Sequence, residues 1–294
     1  MPEKKKLLVS FSGGETSAYM ALWLWKHKQH EYDMVFVFAN TGQENEQTFK
    51  FIQKFELHFS IPIVWIEAIV YHGKRKSNGF KIVNYDTADR SGKVFGEIIK
   101  KHGIPNMSFP HCTREMKQVP IRKFAKSIGW KEYYTAIGIR ADEMDRQSVK
   151  AKENRFIYPL ISKAMRPMTK PKINFFWSQQ PFRLDLKGYQ GNCITCWKKS
   201  DHKLFTIAKE NKSAFYFMKK MEQRYKNFTP ASRLKIMAKR GETPVYPILF
   251  FRGNRSVVQI FKESKAYDGV ITDDALSVDA LGGESCEIFS ECDY

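Results

Sequence analysis

The sequence has no apolar run near the ~20 residues needed to cross a bilayer. Its opening stretch, MPEKKKLLVSFSGG, is interrupted by Ser10, Ser12 and two glycines before any secretory core could form. No membrane association and a cytoplasmic location are therefore expected. Cysteine is scarce and odd in number, five in 294 residues, which argues against a simple disulfide framework and leaves metal binding or thiol chemistry open. Glycine and proline, at 17 and 12, are too few for collagen-like or low-complexity order. Acids are also in deficit, with 31 Asp and Glu against 49 Lys and Arg, a net charge of +18. A chain that is 43% hydrophobic and 14% aromatic is nevertheless not a solvating polar one. Its length suits one large or two ordinary domains with a sizeable core. The GxxxxGK(S/T), GxGxxG and HExxH patterns are absent, and no internal repeat is found.

The positive charge is concentrated. Residues 160–240 hold 19 Lys and Arg against four acids, a net +15, whereas residues 263–294 carry nine acids and one lysine. Phe175, Phe176, Trp177, Phe182, Trp197, Phe215, Tyr216, Phe217 and Tyr225 interleave the basic block. Cations beside flat rings are what a polyanion surface needs. A solvated helical face over an aromatic core is an equal alternative.

Along the first half, short apolar runs at 7–11, 33–40, 62–68 and 133–139 alternate with helix-like stretches at 16–26, 46–59, 94–102 and 113–128. Strands separated by helices imply βαβ units and a parallel sheet covered on both faces, an α/β domain. A Pro-rich basic stretch, YPLISKAMRPMTKPKI, leads into a smaller, mostly helical region. The expected organisation is an α/β domain over 1–158, a basic helical region with the CxxC over 159–262, and an acidic tail over 263–294.

The first strand runs into Ser10-Phe11-Ser12-Gly13-Gly14-Glu15-Thr16-Ser17 and then a helix. Two glycines let the backbone pass close to a ligand, the hydroxyls of Ser12, Thr16 and Ser17 add donors, and the helix presents its positive end. Such a loop suits a phosphate or pyrophosphate. An ordinary capped strand-to-helix turn would favour the same residues.

The loop, FSGGETSAYM, resembles the SGGxDS signature of the PP-loop ATP pyrophosphatase superfamily. Three further segments resemble, in order, its branch similar to phosphoadenosine phosphosulfate (PAPS) reductases: DMVFVFANTGQEN, HCTREMKQVPIRKF and AIGIRADEMDR. GNCITCWKKSDHKL is similar to the Gly-Asn-Cys-x-x-Cys and Lys-Lys-Ser element of PAPS-reductase-like proteins of phages and mobile elements. The matches span roughly half the chain. One departure is Thr16, where the family has an acid, with Glu15 where it often has lysine, so ATP cleavage is less firmly implied than ATP binding. The resemblance implies an adenine-nucleotide α-hydrolase-like fold that binds ATP or PAPS with Mg²⁺. The implied contacts are Ser10, Phe11, Ser12, Gly13, Gly14, Thr16, Ser17, Asn40, Thr41, Gly138, Arg140, Glu143 and Arg146. Glu44 is a candidate for Mg²⁺ or a substrate hydroxyl; helix capping around Thr41-Gly42 and a surface salt-bridge cluster of Arg140, Asp142, Glu143 and Arg146 are the plainer alternatives.

Cys193 and Cys196 form a CxxC, which suits one metal centre or a redox dithiol. By resemblance, Cys112 joins them near the nucleotide, and three thiolates imply a 4Fe-4S cluster with an open iron. Cys286 is a candidate fourth ligand and Cys292 a candidate mobile nucleophile. Structural zinc and plain reduced thiols are the alternatives. Lysines beside the pair lower thiol pKa values and attract anions; Arg114, Lys117, Lys198, Lys199 and Lys203 are the candidates for nucleic-acid or anion binding. The expected function is adenylylation of an acceptor and sulfur transfer to it through Cys112, Cys193 and Cys196, with tRNA or DNA as acceptor. The rivals are a PAPS or adenylyl-sulfate reductase and a zinc-containing nucleic-acid-binding protein.

Overall fold

The structure is a computed structural model, and it describes residues 3–73, 75–191 and 193–269. Six strands form one sheet in the order β4-β3-β2-β1-β5-β6. They are β1 (Lys5–Ser10), β2 (Tyr32–Asn40), β3 (Ile63–Ile69), β4 (Gly79–Val83), β5 (Tyr134–Ala136) and β6 (Phe156–Ile157). All neighbours run parallel except β4, which pairs antiparallel with β3. The helices are α1 (Glu15–His27), α2 (Glu46–Phe59), α3 (Lys93–His102), α4 (Val119–Ser127), α5 (Lys170–Ser178), α6 (Asp201–Glu210), α7 (Tyr216–Tyr225), α8 (Ala231–Lys239) and α9 (Val257–Ala266). A π-helical stretch, Arg114–Gln118, leads into α4. The expected α/β class with a parallel sheet is thus present.

The continuous apolar strands follow from burial on two faces. Leu7, Val9, Phe36, Phe38, Ile63 and Trp65 point into one core with α1, α2 and α5, while Leu8, Val37, Ala39 and Ile66 pack on α4. A third core joins α3, α6, α7 and α9 around Trp197, Phe215 and Phe250. These cores do not follow chain order. Helix α5, with Trp177 fully buried, belongs with the sheet, and α3 belongs with the later helices. Residues 263–266 complete α9, where Glu263 pairs with Arg255. Among the described residues, no helix is long and apolar enough to cross a membrane.

The chain runs from β1 out to β3, then returns to place β5 on the other side of β1. Strand order thus reverses between β1 and β5, and open α/β sheets bind ligands at the carboxyl ends of the strands at such a switch point. The Ser10–Ser17 loop and the segment after β5 both lie there.

Candidate functional site

The β1–α1 loop is braced from within. Ser17 Oγ accepts from Ser12 N at 3.1 Å and lies 3.0 Å from Ser12 Oγ, and it donates to Gly14 O at 2.9 Å. Its hydroxyl is therefore a strut of the loop. Phe11 also faces inward, its ring 5.1 Å from that of Phe55. Gly13 has φ +83°, and a Cβ there would stand 2.5 Å from Thr48 Cγ2, so both its conformation and its closeness to α2 require glycine. Gly138 lies against the start of α1, where a Cβ would meet Ser17 Cα at 3.3 Å. Gly14 occupies the N-cap of α1 without a side-chain cap. The first-turn amides thus lack intrahelical acceptors at the helix's positive end, a local arrangement suited to an anion. Ser10 Oγ is fully buried beneath the loop without a hydrogen-bond partner.

Two flanking elements hold this loop. Glu15 turns back to the segment after α5, where Arg183 Nε and Nη2 donate to its carboxylate at 3.1 and 3.2 Å and Leu184 N donates at 3.2 Å. Trp177 Nε1 donates to Glu15 O at 2.9 Å. On the other side Arg140 Nη1 reaches Thr16 Oγ1 at 3.4 Å. The Arg140 guanidinium is also bound by Asp142 and lies 3.0 Å from Glu143, which in turn pairs with Arg146 at 3.0 Å. Arg140 and Glu143 are buried, so the two guanidiniums enter the site already paired with carboxylates. This limits the net positive charge they bring to an anion.

The exit of β2 is equally committed. Asn40 Nδ2 donates to Glu67 Oε1 at 2.7 Å and to Asp89 O at 2.8 Å, and Asn40 Oδ1 accepts from Gly42 N. Glu44 accepts from Thr41 N at 3.0 Å, Thr41 Oγ1 at 2.8 Å and Gln43 N at 3.2 Å. Asn40 and Thr41 are fully buried and Glu44 nearly so, and their polar atoms shape this turn. Glu67, an acid in an otherwise apolar strand, and Asp89 were not singled out from sequence. The visible signal was the interruption of IVWIEAI by one carboxylate.

The β2 exit binds the CxxC loop directly. Cys193 bridges Glu44 in antiparallel fashion, Ile194 N donates to Gln43 O at 2.8 Å, and Asn45 Nδ2 donates to Gln190 O at 2.7 Å. Thr41 Oγ1 lies 3.4 Å from Cys193 Sγ. Cys112, Cys193 and Cys196 line one small, mostly apolar cavity together with Thr41, Lys117, Trp197 and neighbouring residues of the third core. The three thiols are brought together across 84 residues of sequence. Cys286 and Cys292 lie outside the described residues.

Burial pushes the Cys193 thiol well above its usual range; Glu44 adds to this and Lys117 opposes it. Trp197 Nε1 is buried without an acceptor. Three soft donors, an orphaned indole N–H and a lysine on one cavity fit a thiolate-held metal centre in chemical kind. Among the described residues, however, no group of three or more His, Cys, Asp or Glu side chains stands in an arrangement able to hold a metal ion.

The other cations divide. Lys199 is buried and donates through Nζ to the carbonyls of Tyr189 and Gly191, each at 2.7 Å, so it ties the chain after the CxxC to the chain before it. Arg114 is exposed and pairs with Glu115. Lys198 lies over the Trp197 ring at 5.4 Å, and Lys203 is half-buried on α6.

No family model matches the chain. It is 34% identical over 209 residues to the uncharacterized nin region protein ORF290 of Escherichia phage lambda, covering 69% of each chain. The chain belongs to the family of that phage protein. It is also similar to two uncharacterized proteins of Methanocaldococcus jannaschii. One is 26% identical over 53% of this chain and 27% of the relative, the other 27% identical over 46% and 26%. The chain thus matches only about a quarter of each archaeal relative.

Proposed function

We propose that the chain is a PP-loop-type, PAPS-reductase-like enzyme that binds an adenine nucleotide, activates an acceptor by adenylylation and transfers sulfur to it, with tRNA or DNA as acceptor. The observation that carries this reading is the junction at Thr41. An uncapped helix start suited to phosphate and a cavity lined by three thiols open at the ends of neighbouring strands β1 and β2, and Thr41 lies 3.4 Å from Cys193.

In this reading the amides of Gly13 through Thr16 and the positive end of α1 hold the nucleotide phosphates with Mg²⁺. The acceptor oxygen attacks the α-phosphorus, the α–β bond breaks and pyrophosphate leaves. Arg140 orients the loop through Thr16. A sulfur nucleophile then displaces AMP from the activated acceptor. Cys112, Cys193 and Cys196 are the residues that would hold an iron–sulfur centre once drawn together around it, and such a centre would supply sulfide-level sulfur for the transfer. The Trp197 N–H and Lys117 favour negative sulfur beside them.

The test is anaerobic purification with iron, sulfide and zinc analysis, followed by pyrophosphate release from ATP with and without added tRNA or DNA. Iron and sulfide with nucleic-acid-dependent pyrophosphate support the proposal. Sulfite release from PAPS would replace it with the reductase, and one zinc without nucleotide affinity would replace it with a binding protein. Gly13→Ala should weaken ATP binding about tenfold or more through loop strain, whereas Cys193→Ser should leave ATP binding intact and abolish turnover.

A further inference from the structure

Helix α8 has no buried residue. From 231 to 247 every position is exposed except half-buried Arg233, Met237 and Pro244. A nine-residue helix does not persist on its own propensity, so a surface this bare raises the question of what it receives. Residues 231–241 carry Arg233, Lys235, Lys239 and Arg240 and no acid. Leu234 and Ile236 are exposed between them, and Val245 and Tyr246 are exposed just beyond. Tyr246 OH donates to Thr229 Oγ1 at 3.0 Å, which fixes its ring.

A run of contacts links the helix to the wall of the cysteine cavity. Arg233 covers the Phe109 ring at 4.2 Å, and Phe109 packs on His111 at 4.7 Å, next in sequence to cavity-lining Cys112. Its pattern selects among partners. At about 100° per residue, Ala231, Leu234, Met237 and Ala238 share one face, where Met237 is half-buried, while Arg233, Lys235, Lys239 and Arg240 gather on the opposite face around exposed Ile236. The exposed basic face thus offers one apolar side chain, Ile236, among four cations, too little apolar surface to seat in a bilayer or a protein groove. Cations interleaved with apolar and aromatic faces suit unpaired bases on a phosphate backbone.

We propose that α8 and the 241–247 segment form the docking arm for a single-stranded nucleic acid whose reacting group enters at the cysteine cavity. This rests on the nucleic-acid acceptor reading above. The test compares wild type with Arg233→Gln/Lys235→Gln/Lys239→Gln/Arg240→Gln and with a charge-matched control at the amino ends of the strands, Lys4→Gln/Lys6→Gln/Lys126→Gln/Lys131→Gln. Binding of a labelled 20-nucleotide RNA is followed by anisotropy across a salt series, with duplex RNA and phosphatidylserine vesicles alongside. The α8 variant should lose at least about tenfold in affinity and its log–log salt slope should shrink by about 2–3, while the control stays within about threefold of wild type. The control should melt with wild type and the α8 variant, which loses the Arg233–Phe109 contact, only slightly below it; Lys235→Gln/Lys239→Gln, which keeps that contact, should melt with wild type and show a smaller loss of affinity of the same kind. Equal losses in the two four-site variants, or a loss confined to vesicles or to duplex, would overturn the docking arm. No binding of any nucleic acid by wild type would instead overturn the acceptor reading.

Discussion

The β1–α1 loop and the cysteine cavity stand at neighbouring strand ends but are built differently. The loop lies within eight consecutive residues and takes its inner bracing from Ser12, Gly14 and Ser17, with Glu15 and Thr16 tied outward to Trp177, Arg183 and Arg140. The cavity needs a π-helical stretch for Lys117, an irregular segment for Cys193 and Cys196, and α3 and α7 for Phe95 and Met218. A locally braced loop forms with its sheet; a cavity walled by distant segments depends on every contact that holds them. Perturbing the third core should therefore damage the cavity and spare the loop.

The largest effect comes from the two buried tryptophans. Trp177→Ala and Trp197→Ala should each cost about 3–5 kcal/mol in urea denaturation, but with different local consequences. Loss of Trp197 should speed alkylation of Cys193, while loss of Trp177, whose indole donates to Glu15 O, should weaken ATP binding. If either variant changes both readouts equally, the two sites are one cooperative unit and the contrast falls.

Glu222, in the helical core, follows in magnitude. Burial raises its carboxyl from 4.5 to about 7, although the amides of Val257 and Phe250 oppose this. Between those two values the folded protein holds a proton that the unfolded chain has released. The stabilising contribution is thus complete below about pH 4.5 and is lost as pH rises through about 7. Relative to Glu222→Gln, wild type should lose on the order of 2–3 kcal/mol across that window. Parallel pH profiles for the two proteins would remove Glu222 as the cause.

Lys199→Met should cost about 1–3 kcal/mol by stranding the Tyr189 and Gly191 carbonyls and should raise the Cys193 alkylation rate, with Lys199→Arg partly restoring both. Stability unchanged in Lys199→Met would mean that the CxxC loop does not need this clamp. The smallest effect is expected from Arg183→Gln. Its guanidinium is half-exposed, so losing the pair with Glu15 should cost under about 1 kcal/mol. A loss above about 2 kcal/mol would mean that the loop depends on this distant tie more than on its inner bracing.

Strands β1, β2, β3 and β5 were legible as apolar runs because burial on both faces leaves few polar positions. Strand β4 was not. GFKIV lies in a polar stretch, pairs only along the sheet edge and leaves Ile82 exposed, so its pattern carries little burial signal. Two-residue β6 is set by its pairing with β5. At the site, the Ser-Gly-Gly turn was readable because positive φ and close approach act on single residues. The tasks of Asn40, Glu44 and Arg140 were not readable: each side chain could face a ligand or brace the turn, and that choice depends on Glu67, Asp89 and Asp142 arriving from elsewhere. Lys199 is a similar case. Its neighbours suggested an anion-binding cation, whereas its ammonium is buried against two carbonyls.

Sequence alone determined the parallel α/β sheet, the glycine turn into α1 and the basic character of the later helices, because periodicity, φ and charge belong to residues and their immediate neighbours. Tertiary structure decided that α5 packs with the sheet and α3 with the later helices. It also joined Cys112 to the CxxC and left α8 bare. Those outcomes depend on which apolar faces meet across more than 80 residues of chain, and no local pattern records that meeting.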